Sequence, residues 1–158
     1  ELLILDEPFS GLDPVNSNLI KDEIFSLSKS GTTIIFSTHR MEQVEEICNK
    51  IILVNKGKKI LDGDLSQIKE DFKQHIFKIG FDNEPPVFES SCFSIIEEKN
   101  FELSVRIKEG CHPSDILKEY IDHGAKIHSF NEVLPTLNEI FIRQVREVQS
   151  TPAFVDNI

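Results

Sequence analysis

The feature that constrains this chain most is short. Four consecutive apolar residues, Leu2, Leu3, Ile4 and Leu5, run straight into two acids, Asp6 and Glu7. A strand with one wet face alternates apolar and polar side chains; an unbroken apolar run predicts a strand of a parallel sheet, covered on both faces. Parallel strands need a crossover, and the next residues supply one. Asp13 is a good N-cap, Pro14 suits the first helical position and Gly31 suits the stop, so residues 14–30 predict a helix. A second β-rich run, residues 32–38, follows it. Met41, Val44, Ile47 and Cys48 then recur at helical spacing, and residues 51–61 read as a β-hairpin turning at Lys56-Gly57.

The grammar changes near residue 73. Phe101, Leu103, Val105 and Ile107 alternate with Glu102, Ser104, Arg106 and Lys108, the period of a half-buried strand. Phe77, Ile79 and Phe81 alternate likewise. Residues 113–123 predict a helix with Ile116, Leu117, Tyr120 and Ile121 on one face, and residues 126–133 a strand. After Pro135, Leu137, Ile140, Phe141, Val145 and Val148 form a helical stripe, expected to pack on the neighbouring sheet. The expected organisation is therefore a partial parallel α/β sheet over residues 1–73, then a small α+β domain of order β-β-β-α-β-α over residues 74–150. Residues 151–158 read as a flexible tail.

Composition narrows the partners. The 158 residues suit one ordinary domain or two small ones. Apolar runs stop at four residues, against the ~20 a membrane-spanning helix needs. The formal charge is 17 − 27 = −10, and such a field repels phosphate backbones, so no nucleic-acid partner is expected. Three cysteines, Cys48, Cys92 and Cys111, without CxxC spacing, read as reduced thiols of a cytoplasmic protein rather than a disulfide frame or zinc site. His75, His112, His123 and His128 lack ligand spacing and read as surface or capping residues. Glu42, Glu45 and Glu46 read as a solvated face.

The chemistry sits in residues 2–14, LLILDEPFSGLDP. A buried strand delivers Asp6 and Glu7 to its carboxyl end, the edge of a parallel sheet where ligands bind. Adjacent strand residues point to opposite sides, so the two acids can take different roles. One can hold a hydrated Mg2+, a hard cation that prefers oxygen; the other can orient and deprotonate a water for attack on a phosphoryl group. A right-handed crossover places the end of the second strand on the same edge. His39, 32 residues beyond Glu7 in the chain, is thereby expected beside it, where it can donate a hydrogen bond to a phosphate oxygen or to the water.

In this order and spacing the motifs resemble the C-terminal third of an ABC transporter ATP-binding subunit, a P-loop NTPase fold. LLILDEP resembles the Walker B strand, SGLD (residues 10–13) the D-loop, and STH (residues 37–39) the switch-histidine loop. Residues 41–63, MEQVEEICNKIILVNKGKKILDG, resemble the helix and hairpin that follow. The resemblance implies that Asp6 is the acid associated with Mg2+, Glu7 the general base and His39 the sensor of the γ-phosphate of ATP. It implies that Ser10, Gly11, Leu12 and Asp13 contact a second ATPase subunit in a nucleotide-sandwich dimer. Phe9 stands where the family usually has a small hydroxyl residue. Residues 134–145, LPTLNEIFIRQV, resemble the proline-led terminal helix of an accessory domain found in some of these ATPases. The implied whole is an ATPase subunit on the cytoplasmic face of a membrane, driving a separate permease. The alternatives are a non-transport ABC ATPase acting on ribosomes or DNA, and, for the second half, a regulatory or dimerisation module.

Three family elements are missing. The P-loop pattern GxxxxGK[ST] finds only Gly57-Lys58, with Ile52 at the first glycine position and Lys59 at the hydroxyl position. No Gln loop and no LSGGQ-like signature occur. All three lie upstream of Walker B in this family, so the sequence reads as a truncation, expected to be inactive alone. Its first strands are expected to expose apolar faces for lack of sheet neighbours.

Overall fold

The computed structural model describes residues 1–150, with side chains through residue 146. The tail expected at residues 151–158 lies outside the described residues. The elements run β1 (Leu2–Asp6), α1 (Pro14–Lys29), β2 (Thr33–Ser37), α2 (Met41–Ile47), β3 (Lys50–Asn55), β4 (Lys58–Asp64), α3 (Leu65–Asp71), β5 (Ile76–Phe81), β6 (Phe93–Lys99), β7 (Glu102–Ile107), α4 (Pro113–Asp122), β8 (Ile127–Val133) and α5 (Leu137–Ser150). This is a mixed α/β chain in two compact units. One holds residues 1–66 together with helix α5; the other holds Gln67–Thr136.

In the first unit β1 and β2 pair in parallel, Leu2 opposite Thr33 through Asp6 opposite Ser37. Helix α1 connects them. Its N-terminus is held by Asp13, whose carboxylate accepts from the backbone N–H groups of Val15 and Asn16, satisfying two of the donors that a helix start leaves unpaired. The apolar run in β1 is only partly covered. Leu3, Leu5, Ile34 and Phe36 are half-buried, while Leu2, Ile4 and Ile35 on the opposite face are exposed. Phe9 and Ile24 are buried, and the Phe9 ring meets Phe36 edge-on with centroids 6.0 Å apart. A large aromatic at position 9 thus fills space beneath the turn. Strands β3 and β4 form an antiparallel hairpin. Lys56 (φ 49°) and Gly57 (φ 73°) both lie in the left-handed region at its turn, the backbone that a two-residue hairpin turn requires.

Helix α5 corrects the expected packing of the stripe from Leu137 to Val145; the Val148 side chain lies outside the described ones. It packs on α2, within the first unit. Leu137 and Ile140 are buried, and the Leu137 N–H donates to Oε1 of Glu45. A carboxylate that satisfies a free helix-start donor is worth more there than in bulk water. The acidic face of α2 is therefore engaged: Glu46 also pairs with Lys21 at 2.7 Å.

In the second unit a four-stranded sheet has the order β6-β7-β5-β8, with every pairing antiparallel. Alternation puts Phe77, Ile79, Leu103 and Val105 on one face, where α4 covers them with Ile116 and Tyr120. Ile121, expected on that face, is exposed instead. The start of α4 is a capping box: His112 Nδ1 accepts from the Ser114 N–H, and Asp115 accepts from the His112 N–H.

The cysteine expectation is overturned. Cys92 and Cys111 form a disulfide, with Cα atoms 5.5 Å apart. Spacing along the chain could not show this, because the sheet brings the start of β6 beside the loop that enters α4. Cys48 remains a free thiol, half-buried, and burial pushes its pKa up.

Candidate functional site

The parallel pairing of β1 with β2 sets the site. Asp6 and Ser37 are register partners, so the next residue of each strand leaves the same edge. Asp6 extends into solvent with Oδ1 accepting from the Ser37 hydroxyl. Glu7 then departs from strand geometry. Its φ is 45°, a left-handed backbone that a non-glycine residue adopts only when its surroundings hold it there. Here its N–H donates to the Ser37 carbonyl and its carbonyl accepts from the Ser10 N–H, both at 3.0 Å.

That turn aims the Glu7 carboxylate at the loop after β2. Oε1 lies 2.7 Å from His39 Nδ1 and accepts the His39 backbone N–H at 3.0 Å. Oε2 accepts from the Thr38 hydroxyl at 3.1 Å. Both oxygens are therefore engaged. The hydrogen bond from the His39 side chain is the largest influence on Glu7 and holds its carboxyl below the usual glutamate range, assisted by Thr38 and the His39 N–H and opposed by partial desolvation. A carboxylate can only accept, so Nδ1 carries the proton and Nε2 is the free nitrogen. The imidazole is largely open to solvent, its side chain 75% exposed, whereas the Glu7 side chain is 34% exposed.

The structure thus brings Asp6, Glu7 and His39 to one edge. Ser10, Gly11, Leu12 and Asp13 follow on an exposed turn, with Gly11 at φ 75° and the Leu12 N–H on the Phe9 carbonyl. The Asp13 carboxylate is occupied by its cap and by the Asn16 side chain, which lower its pKa. Sequence reasoning gave no individual role to Ser37 and Thr38, yet their hydroxyls orient the two acids. The signal was the in-register pairing of two runs of equal length, each ending in polar residues. A hydrated Mg2+ needs hard oxygen donors; the Asp6 carboxylate and Ser37 hydroxyl supply them, so these residues fit that ion.

Comparison with known proteins agrees with the motifs. The family described as "ATP-binding protein DrrA1-3-like, C-terminal domain" matches residues 63–145, more than half of the chain. The chain belongs to that family of ATP-binding proteins. An uncharacterized ABC transporter ATP-binding protein of Bacillus subtilis, YhaQ, is 40% identical over 151 residues, 94% of this chain and 50% of the relative. One from Alkalihalophilus pseudofirmus is 35% identical over 92% of this chain and 54% of the relative. A Nod factor export ATP-binding protein I of Cupriavidus pinatubonensis is 46% identical over 63 residues, 40% of this chain and 19% of the relative. The resemblance to ABC transporter ATP-binding subunits therefore holds, and the chain spans about half the length of the first two relatives. Among the described residues, no helix is long and apolar enough to cross a membrane.

Proposed function

We propose that this chain is the catalytic-edge and accessory portion of an ATPase subunit that powers transport through a separate membrane permease. The observation that carries this reading is the 2.7 Å contact between Glu7 and His39 at the ends of two parallel strands. In the proposed reaction Glu7 orients a water and accepts its proton, and His39 holds a phosphoryl oxygen. Asp6 would hold a hydrated Mg2+, which neutralises charge on the phosphates when bound.

The resting contact has a chemical consequence. With Nδ1–H committed to Glu7, a neutral His39 offers only an acceptor at Nε2. Donation to a phosphoryl oxygen requires the imidazolium or release of Nδ1. When His39 turns away, Glu7 loses its largest pKa-lowering partner and becomes the stronger base. The pair thus favours a weak base at rest and a better one once His39 is engaged elsewhere. Ser10, Gly11, Leu12 and Asp13, all exposed, are proposed to face a second ATPase subunit. Strand β6, at the sheet edge with Ile95 and Ile96 exposed, favours a dimerisation role for the accessory unit. The printed names of the relatives favour transport over action on ribosomes or DNA.

The chain alone is proposed to be inactive. Most phosphate affinity in P-loop proteins comes from the loop's N–H groups and lysine, and Asp6 with Glu7 presents only negative charge. Calorimetric titration of Mg-ATP into residues 1–158 is expected to show no saturable binding, whereas the chain joined to the remaining half of the Bacillus subtilis relative is expected to bind. Micromolar affinity of the chain alone contradicts this assignment.

A further inference from the structure

The Cys92–Cys111 pair lies far along the chain from the site at Glu7, and a third group stands beside it. The sulfur atoms of Cys92 and Cys111 and a carboxylate oxygen of Asp115 all lie within 4.8 Å of one another, and all three residues are half-buried. We propose that in the reduced protein these three side chains form a binding site for a thiophilic divalent cation of the Zn2+ class, and that closing the disulfide abolishes it.

Three features support the donor set. The first is position. Cys92 packs against the buried core cluster and immediately precedes β6, while Cys111 immediately precedes His112, the N-cap of α4. Two regular elements fix the two sulfurs relative to each other, and the Cα separation of 5.5 Å suits two sulfurs sharing one metal as well as it suits a disulfide. A tetrahedral ion with Zn–S bonds of ~2.3 Å sets its sulfurs about 3.8 Å apart, which side-chain rotation can supply. The second is orientation. Asp115 accepts from the His112 N–H at 2.7 Å through Oδ2, so its carboxylate is held by a partner of its own, as metal-ligating carboxylates are. The third is charge. Two thiolates and a carboxylate around a divalent ion leave a net −1 at the start of a ten-residue helix, where the helix dipole favours anionic groups and thiolate formation. Water or an exogenous ligand completes four-coordination.

The two states interconvert with balanced chemistry. Two equivalents of a low-molecular-weight thiol reduce the disulfide, forming two protein thiols and one small-molecule disulfide. The metal then displaces the two thiol protons. Oxidation by a low-molecular-weight disulfide reverses the first step, and the sulfurs lose the thiolate charge that binds the ion, leaving a neutral disulfide that is a poor ligand.

The test uses the full chain, reduced and freed of metal, titrated with Cd2+ and followed by the thiolate-to-metal charge-transfer band in the ultraviolet. One equivalent is expected to saturate the band, and the oxidised chain is expected to show none. Cys92→Ser and Cys111→Ser should each abolish the one-equivalent band, and Cys48→Ser should leave it unchanged. Asp115→Asn should weaken Cd2+ binding about tenfold or more. Tyr120 emission reports whether each variant is folded. In the unmutated reduced chain, Cd2+ should also slow alkylation of Cys92 and Cys111 but not of Cys48. No band in the reduced chain, a band lost with Cys48→Ser, or unchanged affinity in Asp115→Asn overturns the proposal.

Discussion

The two units solve the problem of burying apolar surface differently. In the sheet unit, Ile79, Val105 and Ile116 are fully buried, and Tyr120 is 1% exposed among the rings of Phe81, Phe88 and Phe93. In the strand pair that carries the candidate site, Leu2 is 59% exposed, Ile4 68% and Ile35 55%. The residue types are alike; the difference is cover. An antiparallel sheet with one apolar face needs one covering layer, and α4 provides it. A run built for a doubly covered parallel sheet needs two, and the described residues cover one face. The candidate site thus sits on the less enclosed of the two frameworks.

The largest effect should separate the two. Ile79→Ala is expected to destabilise the sheet unit by about 2–5 kcal/mol through lost burial and a cavity. Ile4→Ala should fall within about 0.5 kcal/mol, the range for exposed positions. Urea unfolding followed by circular dichroism checks both, and equal costs would break the comparison. Tyr120 is the one tyrosine and there is no tryptophan, so its fluorescence follows the sheet unit selectively.

Tyr120 also sharpens the comparison. Burial, reinforced by Glu98 and Glu119, pushes its phenol up to about 12. A folded-state value above the unfolded one, about 10, means the associated stability is fully present below pH 10 and is lost as pH rises toward 12. Phenolate absorbance should therefore appear near pH 12 in the folded chain, about two units above its appearance in urea. Ionisation near pH 10 without unfolding would show that the core is open to water.

The smallest effect concerns the site itself. The pKa of Glu7 is held down chiefly by its hydrogen bond from His39. Its contribution to stability is present above the unfolded carboxyl value and disappears as pH falls through the lower folded value. His39→Ala should move the Glu7 titration, followed by carboxyl carbon NMR, upward toward the ordinary range. An unmoved titration would mean the pair does not form in solution.

Much of this was legible because local signals coincided with the elements they mark. Asp13 and Pro14 start a helix, Lys56-Gly57 turns a hairpin, and alternation from Leu103 to Ile107 makes a strand with Leu103 and Val105 inward. The meeting of Glu7 with His39 followed from strand, helix and parallel strand alone. What stayed hidden depended on distant parts of the chain. The stripe of α5 shows an apolar face but not which element it meets, and Glu45 supplied the answer from 92 residues away. The Cys92–Cys111 pairing, 19 residues apart, arises from the path of β6, β7 and the following loop. The left-handed backbone at Glu7 is imposed by the Ser37 carbonyl and the turn into Ser10, and an isolated Asp-Glu pair carries no sign of it.

The central claim is that Glu7 and His39 form one hydrolytic pair. It is tested most directly by joining this chain to the remaining half of the Bacillus subtilis relative and measuring ATP hydrolysis with Glu7→Gln, alongside Mg-ATP binding. The account predicts that hydrolysis falls by about 10²–10⁴-fold, the usual contribution of a general base, while binding persists. Hydrolysis undiminished by Glu7→Gln would contradict it.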